Sequence, residues 1–168
     1  MGAGKTSVGE AVAARLGWRF VDFDRTIEET VGVTVHEIFA TFGERVFREH
    51  EQRVADVLLR EDGVVLGTGG GWAAAGGRLA KLPPGTETFW LLVSPVEALR
   101  RVSGEPGRRP LLDVEEPLRE ATELLQRRAA GYALARWTVD TDGSTVEDVT
   151  ARILAILAAE YPEQTLNE

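Results

Sequence analysis

A short glycine-rich run near the start of the chain constrains the fold more than any other feature of the sequence. The run is Gly2-Ala3-Gly4-Lys5-Thr6. It matches the second half of G-x-x-x-x-G-K-[ST], a pattern in which backbone N–H groups and a lysine surround phosphate groups between a strand and a helix. The run favours an α/β protein that binds a nucleoside triphosphate. The alternative is a glycine-rich helix start without a ligand.

Apolar strands and amphipathic helices alternate along the rest of the chain. Such alternation predicts a parallel sheet covered by helices on both faces, a three-layer α/β/α architecture. The segment 103–117 is rich in glycine, proline and arginine, and we expect it to form a mobile lid. The predicted helices span 5–16, 34–43, 44–60, 73–81, 118–132 and 146–159, with another from 94, and the predicted strands span 20–24, 64–66, 88–93 and 137–140.

The composition indicates one globular domain, which we assign to residues 1–160, followed by a polar tail over 161–168. The net charge of −8 argues against nucleic acid as the main partner. The chain has no cysteine, which excludes a disulfide framework and a thiolate zinc site. No apolar run approaches the ~18 residues of a membrane span and no signal peptide precedes the first motif. We therefore expect no membrane partner, a cytoplasmic location and a monomer.

Two carboxylates stand at the end of the strand predicted over 20–24. Asp22 and Asp24 are two residues apart, so on a strand both side chains would leave the same face. In an open parallel sheet, ligands bind beyond the carboxyl ends of the strands. A carboxylate there can accept a hydroxyl proton or hold the water molecules of a magnesium ion. The alternative is a pair of solvated loop acids.

Several charged and glycine-rich positions further along are ambiguous when each is taken alone. Arg48 and Glu51 are neighbours on a predicted helix, and such a pair is usually a surface ion pair of small energy. The glycines at 69–71 follow a strand, and they either let the backbone approach a ligand closely or form a tight turn. Three further arginines are, singly, more typical of solvated surface: Arg108, Arg109 and Arg128.

Taken in order, these motifs resemble the shikimate kinase family, and the resemblance spans the chain from Met1 to about Ala159. Single matches are weak, but six in order at fitting spacing are specific. The family's G-x-G-K-[ST] matches 2–6, its D-x-D matches 22–24, its G-E-x-x-F-R-x-x-E frame matches 43–51, its G-G-G after a strand matches 69–71, its lid sequence R-P-L-L matches 109–112, and its arginine-then-tyrosine pair matches Arg128 and Tyr132.

The resemblance implies a P-loop kinase fold with a short parallel sheet and a mobile lid. It implies transfer of the γ-phosphoryl group of ATP to the 3-hydroxyl of shikimate, in aromatic amino-acid biosynthesis, with Mg²⁺ as the metal ion. Shikimate and ATP are then the small-molecule partners. Phosphoryl transfer needs alignment and charge neutralisation more than covalent help, which suits a site built from glycines, arginines and carboxylates.

The resemblance also implies a role for each matched residue. On the nucleotide side these are Gly2, Ala3, Gly4, Lys5 and Thr6 around the phosphates, Arg101 near the adenine, Arg109 brought to the phosphates by the lid, and Thr6 with Asp22 (through water) at the magnesium ion. On the substrate side they are Asp24 as the base that orients the hydroxyl, Arg48 and Arg128 on the carboxylate, Gly70 and Gly71 on the hydroxyls, and Glu51 as a brace for Arg48. The implied catalytic residues are Asp24, Lys5 and Arg109.

The chain departs from the family pattern at several points. Ala130 stands where proline is usual, Trp72 stands where a small residue is commoner, and 142–144 offer no arginine to the adenine.

The first glycine of the loop and the central strand that leads into it fall before Met1. Burying one aliphatic side chain contributes about 1.5–3 kcal/mol. Losing a strand with four such side chains would therefore cost more than the typical net free energy of unfolding. We therefore expect the translated product to begin upstream, and the chain as it stands to show weak stability or low activity.

Two other functions stay open on the sequence. A gluconate kinase shares the loop and the fold class, although the D-x-D, Arg48, the three glycines and Arg128 favour an anionic ring polyol. A kinase-derived binding protein without turnover is the second alternative, although every implied catalytic residue downstream of the loop is present. An assay with shikimate and gluconate in competition separates the two kinases, and any measured phosphoryl transfer excludes the binding protein.

Overall fold

The computed structural model describes residues 2–103 and 115–162. The lid segment predicted over 103–117 and the tail predicted over 161–168 therefore lie mostly outside the described residues. In chain order the elements are α1 (Lys5–Leu16), β1 (Arg19–Asp22), α2 (Phe23–Val31), α3 (Val35–Leu58), β2 (Val64–Gly67), α4 (Gly70–Ala74), a 3₁₀ turn (Arg78–Lys81), β3 (Phe89–Leu92), α5 (Pro95–Ser103), α6 (Pro117–Tyr132), β4 (Trp137–Asp140) and α7 (Val146–Glu160).

The strands form two parallel pairs. β1 pairs with β2, with Arg19 opposite Val64, and β3 pairs with β4, with Phe89 opposite Trp137. No ladder joins the two pairs within the described part of the chain. The predicted parallel sheet is therefore present as two half-sheets of two strands each.

Helices cover both faces of the half-sheets. On one face, α1 and α7 enclose a buried valine and isoleucine cluster that Val65 of β2 and Leu91 of β3 also reach. On the opposite face, α2, α3 and α4 enclose a second cluster, which Leu66 of β2 reaches. Val65 and Leu66 are consecutive on one strand, so their side chains must point to opposite faces. The three-layer α/β/α arrangement predicted from the alternation is confirmed.

The strand predicted over 20–24 is shorter than expected, and this changes the position of Asp24. The strand ends at Asp22, and Phe23 is already the first residue of α2. The Asp22 carboxylate accepts hydrogen bonds from the N–H groups of Asp24 and Arg25, as an N-cap residue does. The prediction that both carboxylates share one face of a strand was therefore wrong. Asp22 ends the strand and Asp24 lies in the first turn of a helix.

Glycines account for the other differences between predicted and observed helices. The helix predicted over 73–81 is split into α4 and the 3₁₀ turn by Gly76 and Gly77, whose φ angles of 59° and 65° lie in the left-handed region. The break predicted near Gly43 is confirmed, because this residue has φ 80° and ψ 170° inside α3. Of the helices that the structure describes, none is both long and apolar enough to cross a membrane.

A capping box stabilises the first turn of α7. Thr145 accepts a hydrogen bond from the Asp148 N–H, and the Asp148 carboxylate accepts one from the Thr145 N–H. We expect Thr145→Ala to lower the free energy of unfolding by about 1 kcal/mol, measured by urea denaturation. The control is Thr30→Ala, because Thr30 is exposed and its hydroxyl bonds only a carbonyl within α2. Equal losses from both substitutions would contradict the capping role.

Candidate active site

The glycine-rich run forms the turn that starts α1. Gly2 and Gly4 have left-handed backbone, with φ of 70° and 79°, and Gly4 is the N-cap residue of α1. No side chain caps this helix start, so the first N–H groups of α1 are available to an anion. A Cβ at Gly2 would lie 2.6 Å from the carbonyl oxygen of Ala98 on α5, so the loop packs directly on that helix. A glycine turn followed by uncapped helix N–H groups suits an anion such as a phosphate group.

Thr6 and Asp22 lie together beside this turn. Thr6 Oγ1 donates to Asp22 Oδ2 at 3.1 Å, while Asp22 Oδ1 accepts from the Asp24 N–H at 3.0 Å. Within the described ranges, no three His, Cys, Asp or Glu side chains cluster as a protein cage for a metal. Magnesium usually keeps several waters and takes one or two protein oxygens together with substrate phosphates. A hydroxyl and a carboxylate beside a phosphate turn therefore fit this ion.

Arg101 on α5 ties the loop to the end of β4. Its guanidinium donates to the carbonyl oxygen of Gly2 at 3.4 Å, to Thr141 Oγ1 at 3.1 Å and to Glu97 at 2.8 Å. Its Nη2 also donates to the Thr141 carbonyl. The sequence predicts that Arg101 lies near the adenine, and the structure places it next to the loop with its donors used on protein acceptors. Packing against the adenine stays a prediction.

Asp24 lies in the first turn of α2, where the charges of Asp22, Lys5 and Arg48 act on it. Solvent reaches its carboxylate, yet the surrounding atoms displace part of its hydration. This desolvation raises the pKa of Asp24 above its ordinary value, and the negative charge of Asp22 raises it further. The positive charges of Lys5 and Arg48 act in the opposite direction. Asp24 is thus a carboxylate whose affinity for a proton is increased, as a proton acceptor requires.

Arg48 is fixed on α3 by two carboxylates. Its Nη1 donates to Glu51 Oε2 at 2.6 Å, and its Nη2 donates to Glu44 Oε1 at 2.7 Å. Burial works against the charge of Arg48, but these hydrogen bonds raise its pKa overall. Glu51 is 0% exposed. Burial raises the pKa of Glu51, and the hydrogen bond from Arg48 opposes that shift.

The glycines at 69–71 bring the substrate-side residues together. A Cβ at Gly71 would lie 2.5 Å from Arg48 Cζ, and a Cβ at Gly70 would lie 2.9 Å from Arg128 Nη1. A Cβ at Gly69 would overlap Glu51 Oε1 and would lie 3.8 Å from Asp24 Oδ1. Three consecutive positions without side chains therefore let two guanidinium groups and two carboxylates converge on one stretch of backbone. Close approach, rather than a tight turn alone, explains the glycines.

Arg128 reaches Gly70 from α6. The structure shows no carboxylate partner for its guanidinium among the described residues. Tyr132, one turn later on the same helix, also reaches Gly70, since a Cβ there would lie 2.6 Å from its hydroxyl. Arg128 is therefore a cation available to a ligand. Arg48, in contrast, is already paired.

The structure describes some, but not all, of the site residues predicted from the sequence, and it adds one contact that was not predicted. Arg109, assigned to the phosphates, lies outside the described residues, and so does the neighbouring Arg108. Glu44 was not predicted to hold Arg48, although its i,i+4 spacing inside the matched motif was the available signal. Trp72 is 2% exposed and packs edge-on against Phe23, with ring centroids 5.6 Å apart, so it is a packing residue behind the glycines.

Comparison with known proteins identifies the family. The family model described as shikimate kinase matches residues 1–158. The chain belongs to the shikimate kinase family. A shikimate kinase of Moorella thermoacetica is 42% identical over 159 residues, which cover 95% of this chain and 91% of the relative. That of Thermodesulfovibrio yellowstonii is 38% identical over 154 residues, covering 92% and 88% of the two chains.

Solved structures of the shikimate kinase family have the same fold. A shikimate kinase from Acinetobacter baumannii in complex with shikimate matches with a TM-score of 0.85 at 34% identity, covering 95% of this chain and 89% of that one. The shikimate kinase from Bacteroides thetaiotaomicron matches with a TM-score of 0.84 at 31% identity, covering 94% and 93%. The resemblance stated from the motifs is confirmed, and so is the predicted fold class.

Proposed function

We propose that the chain transfers the γ-phosphoryl group of ATP to the 3-hydroxyl of shikimate. The observation that carries the proposal is the convergence of Asp24, Arg48 and Arg128 on the glycines at 69–71, beside a phosphate-binding turn. Membership of the shikimate kinase family and the similar structure that holds shikimate support the same reaction.

The nucleotide side of the reaction is assigned to the turn at the start of α1. The N–H groups of 2–6 surround the ATP phosphates, and Lys5 bridges the transferring group and its leaving oxygen. Thr6 and, through water, Asp22 are the residues that would hold Mg²⁺. The chemistry that this ion would supply there is neutralisation of the charge of the phosphate oxygens. Arg109 stays assigned to the phosphates by the family motif alone.

The substrate side is assigned to the cluster around the glycines. Arg48 and Arg128 bind the shikimate carboxylate, and the planar forks of the two guanidinium groups suit a planar anion. The backbone of Gly70 and Gly71 contacts the ring hydroxyls. Asp24 Oδ accepts the proton of the 3-hydroxyl as that oxygen attacks the phosphorus atom, and its raised pKa increases its affinity for this proton.

The proposed function is tested by measuring ADP release with ATP and either shikimate or gluconate. We expect turnover with shikimate at rates well above those with gluconate, since gluconate lacks the ring. Phosphorylation of gluconate in preference to shikimate would support the alternative kinase, and no turnover with either would support a binding protein. The monomeric state and the cytoplasmic location stay predictions, and size-exclusion chromatography with light scattering measures the first.

A single added methyl group tests the close approach of Arg48 to the backbone. In Gly71→Ala the new Cβ would lie 2.5 Å from Arg48 Cζ, so the guanidinium must move. We expect KM for shikimate to rise by about tenfold while KM for ATP changes less than about twofold, since only the carboxylate site is displaced. Both constants come from the same ADP-release assay.

The control for this substitution is Gly32→Ala. A Cβ at Gly32 meets nothing within 4 Å, but its φ of 80° makes alanine strained there. Gly32→Ala should therefore lower stability by about 1 kcal/mol and leave both KM values unchanged. A Gly71→Ala enzyme with the normal KM for shikimate would show that Arg48 does not meet the substrate at this position.

A further inference from the structure

One face of α6 brings two polar side chains to the same glycine. Arg128 and Tyr132 are four residues apart in this helix, so they are neighbours along one face. A Cβ at Gly70 would lie 2.9 Å from Arg128 Nη1 and 2.6 Å from the Tyr132 hydroxyl. Both polar groups therefore border the same small region of space beside the backbone of Gly70.

A close contact between α6 and α4 sets the distance of Tyr132 from Gly70. A Cβ at Gly131 would lie 2.3 Å from the carbonyl oxygen of Ala74, so the two helices touch at this glycine. Gly70 is the first residue of α4 and Ala74 is the last. Because Tyr132 directly follows Gly131, the contact that joins the two helices also holds Tyr132 beside Gly70.

The Tyr132 ring packs on Trp90 of β3. The two ring centroids are 5.7 Å apart and the rings are tilted by 45°. Tyr132 is half-buried. Aromatic contacts of this kind hold a ring in place, and the hydroxyl of a tyrosine packed in this way usually finds a hydrogen-bond partner.

The Tyr132 hydroxyl has no such partner in the described part of the chain. The other tyrosine of the sequence differs, because the Tyr161 hydroxyl donates to Glu87. Arg128, beside Tyr132, likewise has no carboxylate partner among the described residues. A neutral donor and a charged donor, both unpaired and both at Gly70, suit the oxygens of an anion.

We propose that the Tyr132 hydroxyl donates a hydrogen bond to the carboxylate of the substrate, in addition to the guanidinium groups of Arg48 and Arg128. The inference rests on the proposed function, which assigns the shikimate carboxylate to these two arginines.

The limited supply of donors at Arg48 gives the additional donor a purpose. Three of the five N–H groups of Arg48 already donate to Glu44 and Glu51. A carboxylate offers about four acceptor sites. The Tyr132 hydroxyl can occupy one of them without adding a further positive charge that substrate binding would have to desolvate.

The proposal is tested with Tyr132→Phe, which keeps the ring against Trp90 and removes only the hydroxyl. We expect the Kd for shikimate, measured by isothermal titration calorimetry, to rise about tenfold or more, as when a hydrogen bond to a charged acceptor is lost. The Kd for ATP should change by less than about twofold, and the urea midpoint should be unchanged.

The matched control is Tyr161→Phe, which removes the hydroxyl of the other tyrosine. Its partner Glu87 precedes the amino end of β3, away from the glycines at 69–71. We expect this substitution to leave both Kd values within about twofold. An unchanged Kd for shikimate in Tyr132→Phe would overturn the proposal, and so would equal rises for shikimate and ATP.

A second measurement identifies the substrate group that the hydroxyl meets. With saturating ¹³C-labelled shikimate, Tyr132→Phe should shift the NMR resonance of the bound carboxyl carbon more than those of the carbons that bear hydroxyls. A larger shift at a hydroxyl-bearing carbon would overturn the assignment to the carboxylate. If Tyr132→Phe does not fold, Trp90→Leu decides, because it releases the ring: a raised Kd for shikimate alone supports the proposal, and an unchanged Kd overturns it.

Failure of this proposal and failure of the proposed function give different results. Shikimate binding that Tyr132→Phe weakens, without ADP release by the unsubstituted chain, would support the role of Tyr132 and contradict the kinase. Normal ADP release with an unchanged Kd in Tyr132→Phe would contradict the role of Tyr132 alone. No binding of shikimate by the unsubstituted chain would overturn both.

Discussion

Asp24→Asn is expected to lower kcat for the phosphorylation of shikimate by about 10²–10⁴-fold, the usual contribution of a positioned general base. Asparagine keeps the size of the side chain and its ability to hydrogen-bond the substrate hydroxyl, but it cannot take the proton. KM for ATP should change by less than about twofold, because Asp24 lies in the first turn of α2 and not in the turn at 2–6, although the charge of Lys5 acts on it. The ADP-release assay measures both quantities.

The control for this substitution is Glu29→Gln on the same helix. Glu29 pairs with Arg25 at the surface, and 65% of its side chain is exposed. We expect its removal to leave kcat within about twofold of the unsubstituted enzyme. An Asp24→Asn enzyme that kept full kcat would show that the proton goes elsewhere.

The same substitution should stabilise the protein at neutral pH. The pKa of Asp24 is raised in the folded state above its ordinary value of 3.8, so ionised Asp24 costs the folded state free energy that the unfolded state does not bear. This cost is absent below about pH 3.8 and appears as pH rises through the folded-state pKa. We expect Asp24→Asn to unfold at higher urea concentration than the unsubstituted protein at pH 7, and the difference to shrink as pH falls. Lower activity together with higher stability would exclude misfolding as the cause of the lost kcat.

The position of Asp24 shows where sequence reasoning about this site succeeds and where it does not. The motif correctly brings Asp22 and Asp24 into one region. The residues over 20–24 also suit a short buried strand with carboxylates at its end, so the strand was predicted to continue to Asp24. Asp22 instead caps α2, and Phe23 becomes a fully buried helix residue. The cap and the strand compete for the same residues, and tertiary packing of Phe23, which no local pattern specifies, favours the helix.

The distances between the glycines at 69–71 and the side chains that approach them could not be predicted from the sequence. The run of glycines indicates that some group approaches closely, but not which group meets which glycine. That depends on how α3, carrying Arg48, and α6, carrying Arg128, pack across the end of β2.

Arg48→Met is expected to destabilise the fold and to weaken substrate binding at once. Glu51 is 0% exposed and would lose the cation that compensates its charge, and breaking such a pair from one side costs about 3 kcal/mol or more. Loss of charge-assisted hydrogen bonds to the carboxylate should raise KM for shikimate by about 100-fold. Urea denaturation and the ADP-release assay measure the two effects.

The control for stability is Arg45→Met on the same helix. Arg45 pairs with Glu49 at the surface, and 81% of the Arg45 side chain is exposed. An exposed i,i+4 pair contributes little, so the free energy of unfolding should change by less than about 0.5 kcal/mol and both KM values should be unchanged. The contrast between the two arginines isolates the effect of burying the partner carboxylate.

The double variant Arg48→Met with Glu51→Leu separates the two roles of this pair. Replacing both charges by apolar side chains of similar volume removes the uncompensated carboxylate, so most of the lost stability should return. KM for shikimate should nevertheless stay about 100-fold raised, because no cation has been restored at Gly71. Recovery of substrate binding together with stability would show that Arg48 acts through the fold alone. Recovery of stability without recovery of substrate binding would show that the charge of Arg48 binds the substrate. Glu51 would then serve to position the Arg48 guanidinium beside the glycines.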